Sequence, residues 1–274
     1  MSSLSPSDQE AISQLCEQHN AARRFGPYSH RCVEFGPWFV KYDTHEIIES
    51  AYKTQEYLFN QAMSDESAPR IPRVVAYFQM RGRAYLVSER IDAISPADTA
   101  PEAVAQAIQW LRRVPPPSGL TLGSVGGGFP GHRVFNDYEA PHRFSSVQAL
   151  QNYMNRALLL IPPRGRPPAM HFLSDPVIFT QSNMDSRNFG LDTDERVCMF
   201  DFSDIGVLPE SFASFSLRKG DDPFLSRVAE YLDWVDNHNH NAYSMARVSA
   251  ALQMTSDPRL GLDMHGNRMT KPRR

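Results

Sequence analysis

Apolar positions along this chain repeat with two periods, one helical and one alternating, and the switches between them predict its elements. Near the start, Ser5-Pro6-Ser7-Asp8 reads as a helix cap with proline in the first turn, and Ile12, Leu15 and Cys16 then share one face. Two short β-prone runs, 31–35 and 38–42, are joined by Gly36-Pro37 and predict a hairpin. A helix is predicted over 45–63, with Ile47, Ala51, Leu58, Phe59 and Ala62 on its apolar side. A second hairpin follows over 71–78 and 84–88, split at Gly82. Helical spacing returns at 103–113 through Val104, Ile108 and Leu111, and stops at Pro115-Pro116-Pro117, which cannot continue a helix.

Residues 114–144 form a long loop rich in glycine, proline and aromatics, and Phe129, Phe135, Tyr138 and Phe144 give it apolar material to pack, so order is expected. Within it, GSVGGG (123–128) superficially resembles a phosphate loop. It follows a helix and lacks a Lys-Ser or Lys-Thr, so a flexible loop is the expectation. Helices are predicted over 145–160, with Val147, Leu150, Tyr153 and Met154 inward, and over 224–235. Between them, 176–205 reads as strand, loop, strand, acidic turn and strand. His238 and His240 stand two apart in a polar stretch that reads as a solvated turn rather than a metal site.

Composition narrows the class. With 274 residues, 41% hydrophobic and 22% charged, the chain has material for one large domain or two lobes. A formal net charge of -3 supplies no basic field for nucleic acid or anionic membrane. Three scattered cysteines suggest a reducing compartment and no disulfide framework. The first residues have no secretory pattern and no run approaches a membrane span, so a cytoplasmic protein is expected.

The chemistry concentrates in 176–205, where the loop and the last strand end could bring Asn183, Asp185, Asn188 and Asp201 to one pocket. Amide and carboxylate oxygens suit Mg²⁺. The plainer alternative is a β-hairpin whose turn Asp192-Thr193-Asp194-Glu195 is simply solvated. The stretch resembles the catalytic loop and metal-binding strand of the aminoglycoside phosphotransferase and choline kinase-like family, and looks most like its fungal members. The family's H-G-D-x-x-x-x-N falls on Gln181, Ser182, Asn183 and Asn188, and its second Asp, the metal-binding one, falls on Asp201 in Asp201-Phe202-Ser203.

That resemblance implies an α+β, protein-kinase-like fold: an N-terminal helical extension (1–30), a small antiparallel-sheet lobe with one helix (31–91), and a mostly helical lobe (92–274) carrying the hairpin. It implies ATP and Mg²⁺ as cofactors, with Lys41 on phosphates and paired to Glu56, backbone around Glu89 and Ile91 on adenine, and Asn188 and Asp201 on metal. Asn183 replaces the Asp that accepts the substrate's proton; it can hydrogen-bond a hydroxyl but not deprotonate it. Asp185 is a second candidate for that step. No glycine-rich loop covers the phosphates. The implied function is phosphoryl transfer to a hydroxyl of a small molecule, slowed by Asn183. The alternatives are a pseudokinase that binds a nucleotide, metabolite or protein partner, and a kinase-like pocket reused without ATP.

Overall fold

Ser5 and Asp8 cap the first helix reciprocally: the Ser5 hydroxyl accepts the Asp8 N–H at 3.2 Å, and the Asp8 carboxylate accepts the Ser5 N–H at 3.1 Å. The helix, α1 (Pro6–Ala22), then lays Ile12 and Cys16 against a sheet. The computed structural model describes residues 4–22, 31–92, 95–218, 222–235 and 239–269. The sheet holds β1 (Cys32–Phe35), β2 (Trp38–Asp43), β3 (Val74–Met80) and β4 (Arg83–Glu89), all antiparallel, in the order β1-β2-β4-β3. Alternation along β4 sends Tyr85 and Val87 to α1 and Ala84 and Leu86 to the opposite face. There α2 (His45–Ala62) covers them with Ile48 and Ala51. Helices thus bury both faces of a small sheet.

Beyond β4 the chain is mostly helical: α3 (Pro101–Arg113), α4 (Val147–Ala157), α5 (Glu210–Ser216), α6 (Pro223–Glu230) and α7 (Asn239–Leu252). Short strands lie among them, namely β5 (Ser95–Pro96), β6 (Val177–Gln181), β7 (Phe189–Leu191), β8 (Val197–Met199) and β9 (Ile205–Pro209). One apolar cluster joins Leu58 of α2 to Ile108 and Leu111 of α3, Phe179 of β6 and Val228 of α6, so it spans both lobes. A second packs Phe135, Phe144, Tyr153, Phe172 and Phe212 against Met245 and Val248 of α7. Among the described residues, no helix is long and apolar enough to cross a membrane.

Several expectations need correction. The strands expected in 176–205 form, but β6 pairs with β9, a strand the alternation did not reveal, while β7 pairs with β8 on one side and with β5 on the other. The helix expected over 224–235 ends at Glu230, and His240 lies in the first turn of α7; His238 falls outside the described residues. The acidic turn is not simply solvated. Asp192 is buried and accepts N–H groups from Arg196 and Asp194, both through Oδ1, and from the Arg70 guanidinium at 3.2 Å. Burial works to raise its carboxyl pKa, but these donors together hold it below the ordinary range.

The 123–128 loop is packed rather than loose. Gly123 bridges to Val207 of β9, and Gly126 lies so close to α2 that an added Cβ would fall 2.8 Å from the Ser50 Cα. Gly123 and Gly126 serve close backbone approach. Gly126→Ala should therefore destabilise the fold by about 1–3 kcal/mol through overpacking. An unchanged urea midpoint in the variant would remove that role.

Candidate functional site

The pleat of β2 aims its lysine. Val40 and Tyr42 face α1, so Lys41 points to the other side, opposite Leu86. Its ammonium donates to the Asp201 carboxylate, and to the Ser203 hydroxyl at 2.7 Å, joining the sheet to the end of the β7–β8 hairpin. Asp201 itself has a left-handed backbone, φ 54° and ψ 76°, and its Oδ1 accepts the Ser203 N–H at 3.3 Å. A non-glycine residue in that region carries strain of about 1–3 kcal/mol, which folds tolerate mainly at functional turns.

The preceding loop is tied to the same point. Asn188 donates from its amide to the Asn183 carbonyl at 2.9 Å, and its own carbonyl accepts the Phe200 N–H at 2.8 Å, one residue before Asp201. The Asn183 side chain hydrogen-bonds Asp204, and its N–H donates to Gln181 Oε1 at 3.1 Å. Burial pushes the Asp204 carboxyl up, as does the neighbouring Asp201; the Lys41 ammonium and the Asn183 hydrogen bond oppose the shift. Lys41, Asn183, Asn188 and Asp201 are thus linked, and Ser203 and Asp204 join them. Ser203 belongs to the motif that the resemblance places at Asp201, whereas Asp204, the next residue of the same DFSD stretch, carries no assignment in the sequence.

Lys41 does not pair with Glu56. The buried side of α2 is set by Ile48, Ala51, Thr54, Gln55 and Leu58, which turns Glu56 outward, where it accepts from the Tyr52 hydroxyl at 3.2 Å. Gln55 takes the inward position and donates to the Pro72 carbonyl and the Ser88 hydroxyl. The Glu89 side chain is held by Arg70 at 2.7 Å, the same arginine that reaches Asp192, so Glu89 anchors the connection between lobes. Ile91 follows it, half-buried. Asp185 caps the turn before Asn188 and forks onto the Arg187 guanidinium at 2.9 and 2.7 Å.

On the far side of Asn183 lies a cavity of about 300 Å³, lined by Arg133, Tyr138, Ser182, Asp185 and Gln253 among others. A buried polar chain supports it. His132 bonds through Nε2 to the Phe212 carbonyl at 3.1 Å and the Ser216 hydroxyl at 3.0 Å, while Ser182 donates to the Gly131 carbonyl at 2.7 Å. Burial drives the His132 pKa down to about 3, helped by the adjacent Arg133 charge and opposed by the Phe212 carbonyl.

Among the described residues no three His, Cys, Asp or Glu side chains cluster as a metal site. A cation here would rest on the Asn188 amide and Asp201 carboxylate, with water and phosphate oxygens completing the shell. That donor set fits Mg²⁺.

A small sheet clamped to a helical lobe by Lys41 and the Asp201 turn decides the fold. It is protein-kinase-like. Solved structures share it: a Haemophilus somnus protein assigned as a fructosamine-3-kinase has a TM-score of 0.52 at 12% identity, covering 88% of this chain and 94% of that one. The GDP complex of aminoglycoside 2'-phosphotransferase-IIIa has a TM-score of 0.55 at 9% identity, covering 89% of each. No family model matches the chain, and no curated protein matches its sequence.

Proposed function

We propose that the protein binds a magnesium nucleoside triphosphate between Lys41 and the Asn188–Asp201 pair and transfers its terminal phosphoryl group to a hydroxyl of a small molecule. The observation that carries this reading is Lys41: it crosses from β2 to Asp201 and Ser203, where a phosphate chain would replace a carboxylate as its partner. The nucleotide complex of a neighbour with the same fold supports it. The cavity beyond Asn183 supplies the acceptor's place.

In the transfer, the acceptor oxygen forms a bond to the terminal phosphorus as the bond to the bridging oxygen breaks, leaving the nucleoside diphosphate. Asn188 and Asp201 would hold the metal, which supplies charge neutralisation on the phosphate oxygens when bound. Asn183 orients the hydroxyl but takes no proton, so the proton leaves to the transferred group or to water. Catalysis then rests on positioning, and turnover is slow. The pseudokinase reading draws on the same Asn183 and on the missing Lys41–Glu56 pair.

Lys41→Met should weaken Mg-ATP binding about 10- to 100-fold, the worth of a charge-assisted hydrogen bond to phosphate. Isothermal titration calorimetry reads it directly. A dissociation constant equal to that of the unaltered protein would remove Lys41 from the nucleotide site and, with it, this reading.

A further inference from the structure

Among the described residues, the cavity beyond Asn183 carries a positive charge with no carboxylate paired to it. Arg133 donates to the Phe215 carbonyl and lies with its guanidinium 4.5 Å from the centre of the Phe215 ring. Its Nε–H is buried and has no hydrogen-bond partner. Among the described residues no carboxylate forms an ion pair with it. The nearest acid of the lining, Asp185, is already matched by the Arg187 fork. A guanidinium brought out of water normally sits against a carboxylate or phosphate, because its planar donors suit two oxygens at once and its desolvation is otherwise unrewarded.

The rim of the cavity points the same way. Tyr138 is 68% exposed, yet it and Asp137 both have left-handed backbones, with φ of 62° and 52°. A bulky residue with positive φ is costly, and such outliers persist where surrounding structure imposes them. Here the Tyr138 carbonyl accepts the His132 N–H at 2.8 Å, the Tyr138 N–H donates to Phe135, and Gln253 donates to the Phe135 carbonyl at 3.1 Å. The turn therefore presents a phenol at the mouth of the cavity beside Arg133, whose field it shares.

Building on the phosphotransfer reading, we infer that the acceptor is a small hydroxylated carboxylic acid: its carboxylate is held by Arg133 with the Tyr138 hydroxyl, and its hydroxyl faces Asn183. One unmatched cation suits a monoanion better than a dianion. A polycationic acceptor would instead meet like charge at Arg133, with the cavity's one described acid already paired.

The test is binding without nucleotide, so that its failure and the failure of the phosphotransfer reading register separately. Gluconate, glycerate and shikimate are titrated calorimetrically against the full chain, each beside its neutral carboxamide. At least one acid should bind while its carboxamide binds 10- to 100-fold more weakly. Arg133→Met should remove that preference, Arg133→Lys should keep part of it, and Tyr138→Phe should weaken it with the fold undisturbed at an exposed position. Because Arg133 also caps the Phe215 carbonyl, the unliganded melting curve of each variant serves as the folding control, and Tyr138→Phe stands in should Arg133→Met fail to fold. Failure of all three acids to bind, equal binding of acid and carboxamide, or a preference untouched by these substitutions overturns the inference.

Discussion

Asn183→Asp should raise ATP turnover by up to about 10²–10⁴-fold, the range a positioned general base contributes. The substitution keeps the side chain's size and places a carboxylate where the loop already presents Asn183 to the cavity. It also exchanges a hydrogen bond donor for a like charge next to Asp204. Repulsion between the two raises the proton affinity of the pair, which favours taking a proton from the acceptor. Lys41 and a bound cation limit the cost of the added charge. The Asp185→Asn background separates the candidates for base: Asp185 is committed to Arg187 and to capping its turn, so the gain should persist without its charge. A coupled assay of ATP hydrolysis measures each variant. Flat turnover in the single and double variants, with Mg-ATP still bound, would leave a pseudokinase.

The part of this molecule legible in the sequence is the part built from local signals. The Gly36-Pro37 turn, the helix after Lys41, and the short strands around the N/D-rich loop carry their own periodicity or turn chemistry, and they form near the expected residues. That Asn183, Asn188 and Asp201 lie together is legible because they fall in one stretch. Glu56 is turned away from Lys41 because the packing of Gln55 against Pro72 and Ser88, which helical spacing alone does not reveal, fixes which side of α2 faces inward. Asp192 looked like a solvated turn residue because its partner, Arg70, is 122 positions away. Arg133 and Tyr138 gave no periodic signal at all. They lie in an aperiodic loop whose shape is set by backbone bonds to distant elements, and an unmatched charge becomes visible only when its surroundings are known.

Acidification should unfold the protein through His132 before most carboxylates titrate. The residue is 1% exposed, its Nδ1 accepts the Val134 N–H, and its Nε2 therefore carries the proton donated toward Phe212 and Ser216. A cation there would be desolvated and set beside the Arg133 charge, so the folded pKa lies near 3 against 6.5 in the unfolded chain. The folded state thus binds fewer protons than the unfolded state between those values. Stability from this site is complete above pH 6.5 and declines as pH falls toward 3, by about 1.4 kcal/mol per unit across the window. Urea titrations at pH 7.5, 6.5, 5.5 and 4.5 should show that slope in the natural chain. His132→Gln keeps a donor and an acceptor without a titrating ring, and should flatten it whatever its own stability at neutral pH. His142, whose pKa burial also lowers, contributes in the same direction to both proteins and cancels in the comparison. Parallel slopes would mean that His132 is not what acid attacks. A flattened slope would tie acid sensitivity to the support of the cavity itself, because the Ser216 hydroxyl that His132 holds also reaches the Ser182 carbonyl, next to Asn183.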